Sequence, residues 1–159
     1  MSEHGKESDT LAGLDMSALA ECRECACFNL RKAARAVTQF YDDKMRPAGL
    51  RGTQFALLAH ALALGPVALT KLADAMVTDR TTLARNLEPL EKGGFIEVAG
   101  SDDRRARIIK ITESGRKKLA EAYPYWKKTQ DEIRKMMGQD ELSEMLSRVS
   151  RLVDRVRKG

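Results

Sequence analysis

The sequence predicts a mainly α fold with a small β component (α+β), and two observations carry this. The chain is rich in Ala and Leu, with aromatic residues at only 5%, a composition that suits helices better than a sandwich or barrel. Apolar residues recur at spacings of three and four along most of the chain, and the period changes only between Phe95 and Ile111.

The elements follow in order. From about Asp15 to Met45, Cys22, Ala26, Leu30, Ala33, Val37 and Phe40 lie on one helix face, and Pro47 and Gly49 stop it. A second helix begins near Gly52 to Thr53, carries Phe55, Leu57, Leu58, Ala61 and Leu62, and ends at Gly65-Pro66. A short helix follows, with Thr70 as the expected N-cap and Leu72, Ala73 and Met76 as its apolar positions. After the turn Val77-Thr78-Asp79, either Thr78 or Asp79 caps a helix from Arg80 to about Lys92, with Leu83, Leu87 and Leu90 as its inner stripe. Pro89 should bend that helix or loosen its last turn, and Gly93-Gly94 ends it. Phe95 to Val98 and Arg107 to Ile111 read as two strands around a turn at 100–105. Thr112 caps a long helix to about Met137, with Pro124 as an expected kink or break, and Gly138 separates it from a last helix. There, Leu142, Met145, Leu146, Val149, Leu152, Val153 and Val156 form a coiled-coil type of seam.

Length and charge exclude several classes. The 159 residues can bury one sizeable core, and 43% hydrophobic with 32% charged residues is too apolar for a disordered chain. The chain has no apolar run of about 18 residues, so no membrane span is expected. The polar N-terminal stretch lacks the pattern of a signal peptide, which predicts a cytoplasmic protein. The net charge of +5 is localised. Arg80 to Lys118 holds 10 Lys and Arg against 6 Asp and Glu, a net +4, while residues 1–20 carry −3. A concentrated basic segment points to a polyanionic partner.

A short helix, a tight turn and a second helix make a helix-turn-helix, and a β-hairpin directly after it makes a winged helix. The second helix turns Arg80, Thr81, Thr82, Arg85 and Asn86 away from its leucine stripe. Arg can fork onto guanine, Asn can pair with adenine, and a Thr methyl can touch thymine. Thr78 in the turn and Arg104, Arg105 and Arg107 at the hairpin complete the candidate DNA-binding set. A solvated helix face beside a charged turn explains the helix alone but not helix, hairpin and charge together.

These segments, TKLADAM, DRTTLARNLEPLEKGGFIEV and DDRRARIIKITESG, resemble the MarR family of bacterial winged-helix transcription regulators. The last contains the family's wing signature at Asp103, Arg105, Ile111 and Thr112, and the resemblance extends over about residues 20–157. It implies that Arg80 to Lys92 enters the major groove, that Arg105 reaches the adjacent minor groove, and that Asp103 holds Arg105 through a charge-assisted pair. It also implies a two-fold homodimer on double-stranded DNA with an inverted-repeat operator, half-sites being roughly 10 bp apart or a multiple of that. The expected organisation is a flexible tail (1–14), an N-terminal dimerisation helix (15–50), the winged helix-turn-helix (51–112) and C-terminal dimerisation helices (113–159).

Cys22, Cys25 and Cys27 fall within six residues. Cys25 and Cys27 on one helix would be ~200° apart, so one metal ion is not expected to gather them. Cys27-Phe28-Asn29-Leu30 resembles the peroxide-sensing branch of the family, and Tyr41 stands where that branch has a tyrosine near its thiol. Arg31 and Gly52, however, replace two other expected tyrosines. Arg23, Arg31 and Lys32 favour a thiolate, whereas inert packing is the competing reading. Phe40, Arg46, Phe55 and Leu58 are candidates for a pocket that takes a small aromatic effector, and His60 reads as a hydrogen-bonded packing residue. No cofactor, metal or membrane partner is expected. The function expected is a repressor released by a small ligand or by thiol oxidation. A thiol-redox enzyme is the first alternative, opposed by the lack of a glycine-rich phosphate loop, a paired-His metal motif or a hydrolase elbow. The second is a protein-binding winged helix without DNA.

Overall fold

The computed structural model describes residues 19, 21–100 and 107–159. Among the described residues, those up to Gln39 belong to one compact unit and those from Phe40 to Gly159 to the other. The α-helices with both ends among the described residues are α1 (Ala26–Met45), α2 (Gly52–Leu64), α3 (Leu69–Ala75), α4 (Arg80–Lys92), α5 (Glu113–Met137) and α6 (Gln139–Lys158). The strands are β1 (Val67–Ala68), β2 (Ile96–Ala99) and β3 (Ile108–Ile111), arranged β1-β3-β2 and antiparallel throughout. Among the described residues no helix is long and apolar enough to cross a membrane.

The helix that the periodicity predicts from about residue 15 is interrupted: Leu19 and Glu21 are helical, but the regular helix resumes only at Ala26. Cys22–Glu24 form a 3-10 turn and Cys25 leaves helical geometry at ψ 112°. The Asn29 side-chain amide donates to the Arg23 carbonyl (2.8 Å), which lies before the break, and to the Cys25 carbonyl (3.0 Å), which also accepts the Asn29 backbone N–H. Cys22 and Cys25 therefore precede α1, and Cys27 lies in its first turn. At the other end, Pro47 sits in a 3-10 turn over Arg46–Ala48, and Gly49 takes a left-handed conformation at φ +66°.

Thr70 does not cap the third helix. Ala68 occupies that position, because residues 67–68 pair with β3 and the Leu69 N–H donates to the Arg107 carbonyl at 2.9 Å. Two residues are too short to show a strand period, so this third strand is invisible in the sequence. Pro89 and Pro124 each remove one backbone donor, yet α4 continues to Lys92 and α5 to Met137. The buried residues Leu87 and Leu90, and Ala122 and Thr129, anchor the turns on either side. The turn predicted at the hairpin tip falls largely on residues 101–106, outside the described residues, as does the predicted tail.

The core of the Phe40–Gly159 unit gathers Met45 from α1, Leu58 from α2, Leu69 and Leu72 from α3, Leu83 and Leu90 from α4, and Ile109 from β3. Burial of each such side chain contributes at most ~1.5–3 kcal/mol. Phe55 stacks on Trp126 with ring centroids 5.5 Å apart, joining α2 to α5. The sheet is locked to α5 at one close approach. Thr112 Oγ1 donates to the Gly94 carbonyl (2.7 Å) and accepts from the Gly115 N–H (2.9 Å), while the Thr112 N–H donates to the Phe95 carbonyl (3.0 Å).

A Cβ at Gly115 would lie 2.0 Å from the Phe95 carbonyl oxygen and 2.8 Å from Ile111 Cγ1. Gly115→Ala must push β2 and α5 apart, at a cost of about 1–3 kcal/mol or more. The expected outcome is a clear fall in the thermal midpoint, measured by circular dichroism. Thr112→Ala, which removes the cap and the hydrogen bond to the Gly94 carbonyl, is expected to cost about 1–2 kcal/mol in the same measurement.

Candidate nucleic-acid interface

α3 and α4 are joined by a turn that the backbone holds tightly. The Val77 N–H donates to the Asp74 carbonyl (3.1 Å) and the Thr78 N–H to the Ala73 carbonyl (3.0 Å). Val77 sits at φ +50°, a conformation costly for a β-branched residue, and its side chain is exposed. Asp79 then starts α4 as N-cap, its carboxylate accepting from the Thr82 N–H at 2.9 Å. Of the two residues expected as cap, Asp79 is the one in place, and Thr78 is half-buried in the turn.

Leu83, Leu87 and Leu90 are buried, which sets the rotation of α4 about its axis. Arg80, Thr81, Thr82, Arg85 and Asn86 are consequently all exposed, mostly in the first two turns. Arg107, just before β3, joins Thr81, Ala84, Arg85, Glu88 and Glu91 in lining an open groove of about 310 Å³. The structure thus brings one hairpin arginine to the face of α4. Asp103, Arg104 and Arg105 lie outside the described residues.

The groove also contains two acids that sequence reasoning did not single out. Glu88 is held below the usual carboxylate range by its hydrogen bond and attraction to Lys92, 2.6 Å away, and Lys92 is raised by the same contact. The i,i+4 spacing of Glu88 and Lys92 was the available signal for the first acid, and Glu91 carries no such pattern. On the sheet, Glu97 stands opposite Lys110, so the two strands carry opposite charges at that register position.

The other predicted residues are dispersed. All three cysteine thiols are free and exposed, so none is a packed core residue of the chain. Tyr41 donates its hydroxyl to Gln130 Oε1, and burial raises its pKa, partly offset by the Arg134 charge. Lys44 pairs with Glu132 at 2.6 Å one helical turn further along α1. Gln130 and Trp126 lie far from their α1 and α2 partners in sequence, so local spacing could not have revealed them. Phe55 and Leu58 belong to the core, Phe40 meets Tyr41 edge-on, and Arg46 pairs with Asp43 at the surface (2.8 Å). His60 is exposed rather than packed, with Nδ1 2.8 Å from the Ala56 carbonyl oxygen.

A capped helix that presents Arg, Thr and Asn beside an antiparallel strand pair defines a winged helix-turn-helix protein of the transcription-regulator class. The chain belongs to the MarR family. That family's model matches residues 50–106. The chain is 34% identical to the transcriptional regulator MosR of M. tuberculosis, solved in complex with DNA, covering 84% of this chain and 98% of that one with a TM-score of 0.71. It is 25% identical to the transcriptional repressor CouR, solved on a 23-mer DNA duplex, covering 85% and 96% with a TM-score of 0.72. An uncharacterised helix-turn-helix regulator of Bacillus subtilis, YwoH, is 22% identical over 104 residues, which are 65% of this chain and 76% of that protein.

Hydrogen bonds from Thr82 hold the Asp79 carboxyl below its ordinary pKa of 3.8. A depressed folded-state value means that the cap's contribution is fully present above the ordinary carboxylate range. It is lost as the pH falls through the folded value. Asp79→Asn, which keeps an acceptor without the titration, is expected to flatten this part of the stability profile below pH about 4. Chemical denaturation repeated across the acid range checks it, and an unchanged slope overturns the assignment.

Proposed function

We propose that this chain is a homodimeric, sequence-specific DNA-binding repressor that reads an inverted-repeat operator with α4. The observation that carries the reading is the exposed set Arg80, Thr81, Thr82, Arg85 and Asn86, held at the start of a capped helix. Arg85 and Asn86 supply base-edge contacts in the major groove, and Arg80 and Thr78 fix the register on phosphates. Arg107, just before β3, would face the flanking minor groove, and Arg104 and Arg105 would add phosphate or minor-groove contacts there, with Asp103 as the partner of Arg105. The second copy is supported by apolar side chains left uncovered in the single chain. Leu146, Val149, Leu152 and Val156 on α6 are exposed along one stripe, and Phe28, Leu30 and Val37 are exposed on α1. An exposed apolar stripe along a helix of this kind marks an association face.

The exposed cysteines favour thiol oxidation as the releasing signal. An organic hydroperoxide would convert the Cys27 thiol to a sulfenic acid and leave as the alcohol. A second thiol, Cys22 or Cys25, would then condense with it, forming a disulfide and water. A small aromatic effector near Phe40 and Arg46 is the competing signal, and Tyr41, engaged with Gln130, would sense either through α1.

The operator is obtained by selection from a random duplex pool. Asn86→Ala or Arg85→Ala is expected to cost about 1–3 kcal/mol of operator affinity and to relax specificity at one base pair. Arg105→Ala should weaken binding and lower the salt slope by about 1, with the dimer intact. Unchanged affinity and salt slope for Arg105→Ala would overturn the hairpin assignment. Cumene hydroperoxide should release the duplex from the native chain and dithiothreitol restore it, whereas the variant with Cys22, Cys25 and Cys27 all replaced by Ser stays bound. Release of that variant by phenolic acids would instead favour the aromatic effector.

A further inference from the structure

We infer that Arg157 is a positioning residue: it ties the end of α6 to the helix-turn-helix and thereby sets the half-site spacing that the dimer accepts. This rests on the DNA-reading proposal above. The Arg157 guanidinium donates from Nη1 to the backbone carbonyl of Asp74 at 3.1 Å, across 83 residues of sequence. Asp74 lies in the last turn of α3, and its carbonyl already accepts the Val77 N–H that closes the turn into α4. A carbonyl oxygen has two lone pairs, so both bonds can be made at once. An arginine at this end also complements the negative pole of α3.

The ionic part of the contact is minor. Arg157 Nη2 and Asp74 Oδ1 are 3.8 Å apart, and their side chains are 48% and 77% exposed. Water screens such a pair strongly. The hydrogen bond to the carbonyl is thus the part that carries geometric information, because it depends on direction as well as charge.

Its location gives it leverage. The apolar stripe of α6 is the proposed contact with the second copy, and Asp74 is six residues before Arg80. A bond between them joins the frame that holds the two copies to the segment that aims the reading helix. With the bond made, α3, the turn and α4 keep one placement relative to α6. Without it, that placement widens and the two reading helices accept a broader range of separations.

The test uses the full chain and the duplex selected by the native protein from a random pool, plus duplexes with one base pair inserted or deleted at the centre. Native protein is expected to reject the altered spacings by about tenfold or more. Arg157→Ala should retain the dimer in sedimentation equilibrium but reduce that discrimination to about threefold or less. Asp74→Ala leaves the backbone acceptor in place and should behave like the native chain. Arg155→Ala removes the same charge from the same exposed helix end and should preserve spacing discrimination, which separates a positioning role from a simple loss of positive charge. Arg157→Lys, which can still donate to the carbonyl, should recover part of the discrimination. Undiminished discrimination in Arg157→Ala, or an equal loss in Arg155→Ala, overturns the inference while leaving the DNA-reading proposal intact. Failure of the native chain to enrich any duplex overturns the DNA-reading proposal, and this inference with it.

Discussion

The burial of Leu83, Leu87 and Leu90 is the constraint on which the rest of the structure depends. These three side chains, spaced four and three residues apart, place one stripe of α4 against the core. A helix has only one rotation that buries a given stripe, so the opposite face is decided at the same moment. Packing and recognition are therefore one event here. The side chains that can touch a base are exposed because others on the same helix cannot be.

Local chemistry then refines what the leucines impose. The Asp79 carboxylate gives α4 a defined first turn, which is where the exposed Arg and Thr residues begin. The backbone bonds of Val77 and Thr78 close the turn from α3 despite the positive φ at Val77. Behind the strand pair, the bare backbone of Gly115 lets α5 approach the Phe95 carbonyl, and Thr112 satisfies groups on both sides of that junction. The strands are thus held to the same helix that leads into α6. Arg157 closes the circuit by returning from the end of α6 to the carbonyl of Asp74.

Much of the architecture was legible because it is written in short-range signals. Gly49, Gly65, Gly94 and Gly138 stand at element ends with positive φ, as a turn vocabulary of glycine requires. Thr112 and Asp79 cap the helices they precede, and the change of period after Gly94 marks β2 and β3 to within one residue. The failures have physical causes of their own. Cys22 fits the periodicity of α1, but it lies in a 3-10 turn closed by the Cys25 N–H and braced by the Asn29 amide on the Arg23 carbonyl, which periodicity does not register. Thr70 has the residue type of a cap, but Ala68 takes that position because the two-residue β1 pairs with the distant β3. Phe55 and Leu58 suited a ligand pocket equally well by composition, but the structure places both in the core.

By itself, the sequence determined the order of the elements, the leucine stripe of α4, the residues on its exposed face and the concentration of positive charge around them. It could do so because periodicity, capping and charge act over a few residues. Only the tertiary structure decided that Arg107 lines the groove of α4, that Tyr41 bonds Gln130, that Phe55 stacks on Trp126 and that Arg157 reaches Asp74. Each of these pairs residues from different elements, and their meeting follows from how those elements pack, which no local pattern encodes.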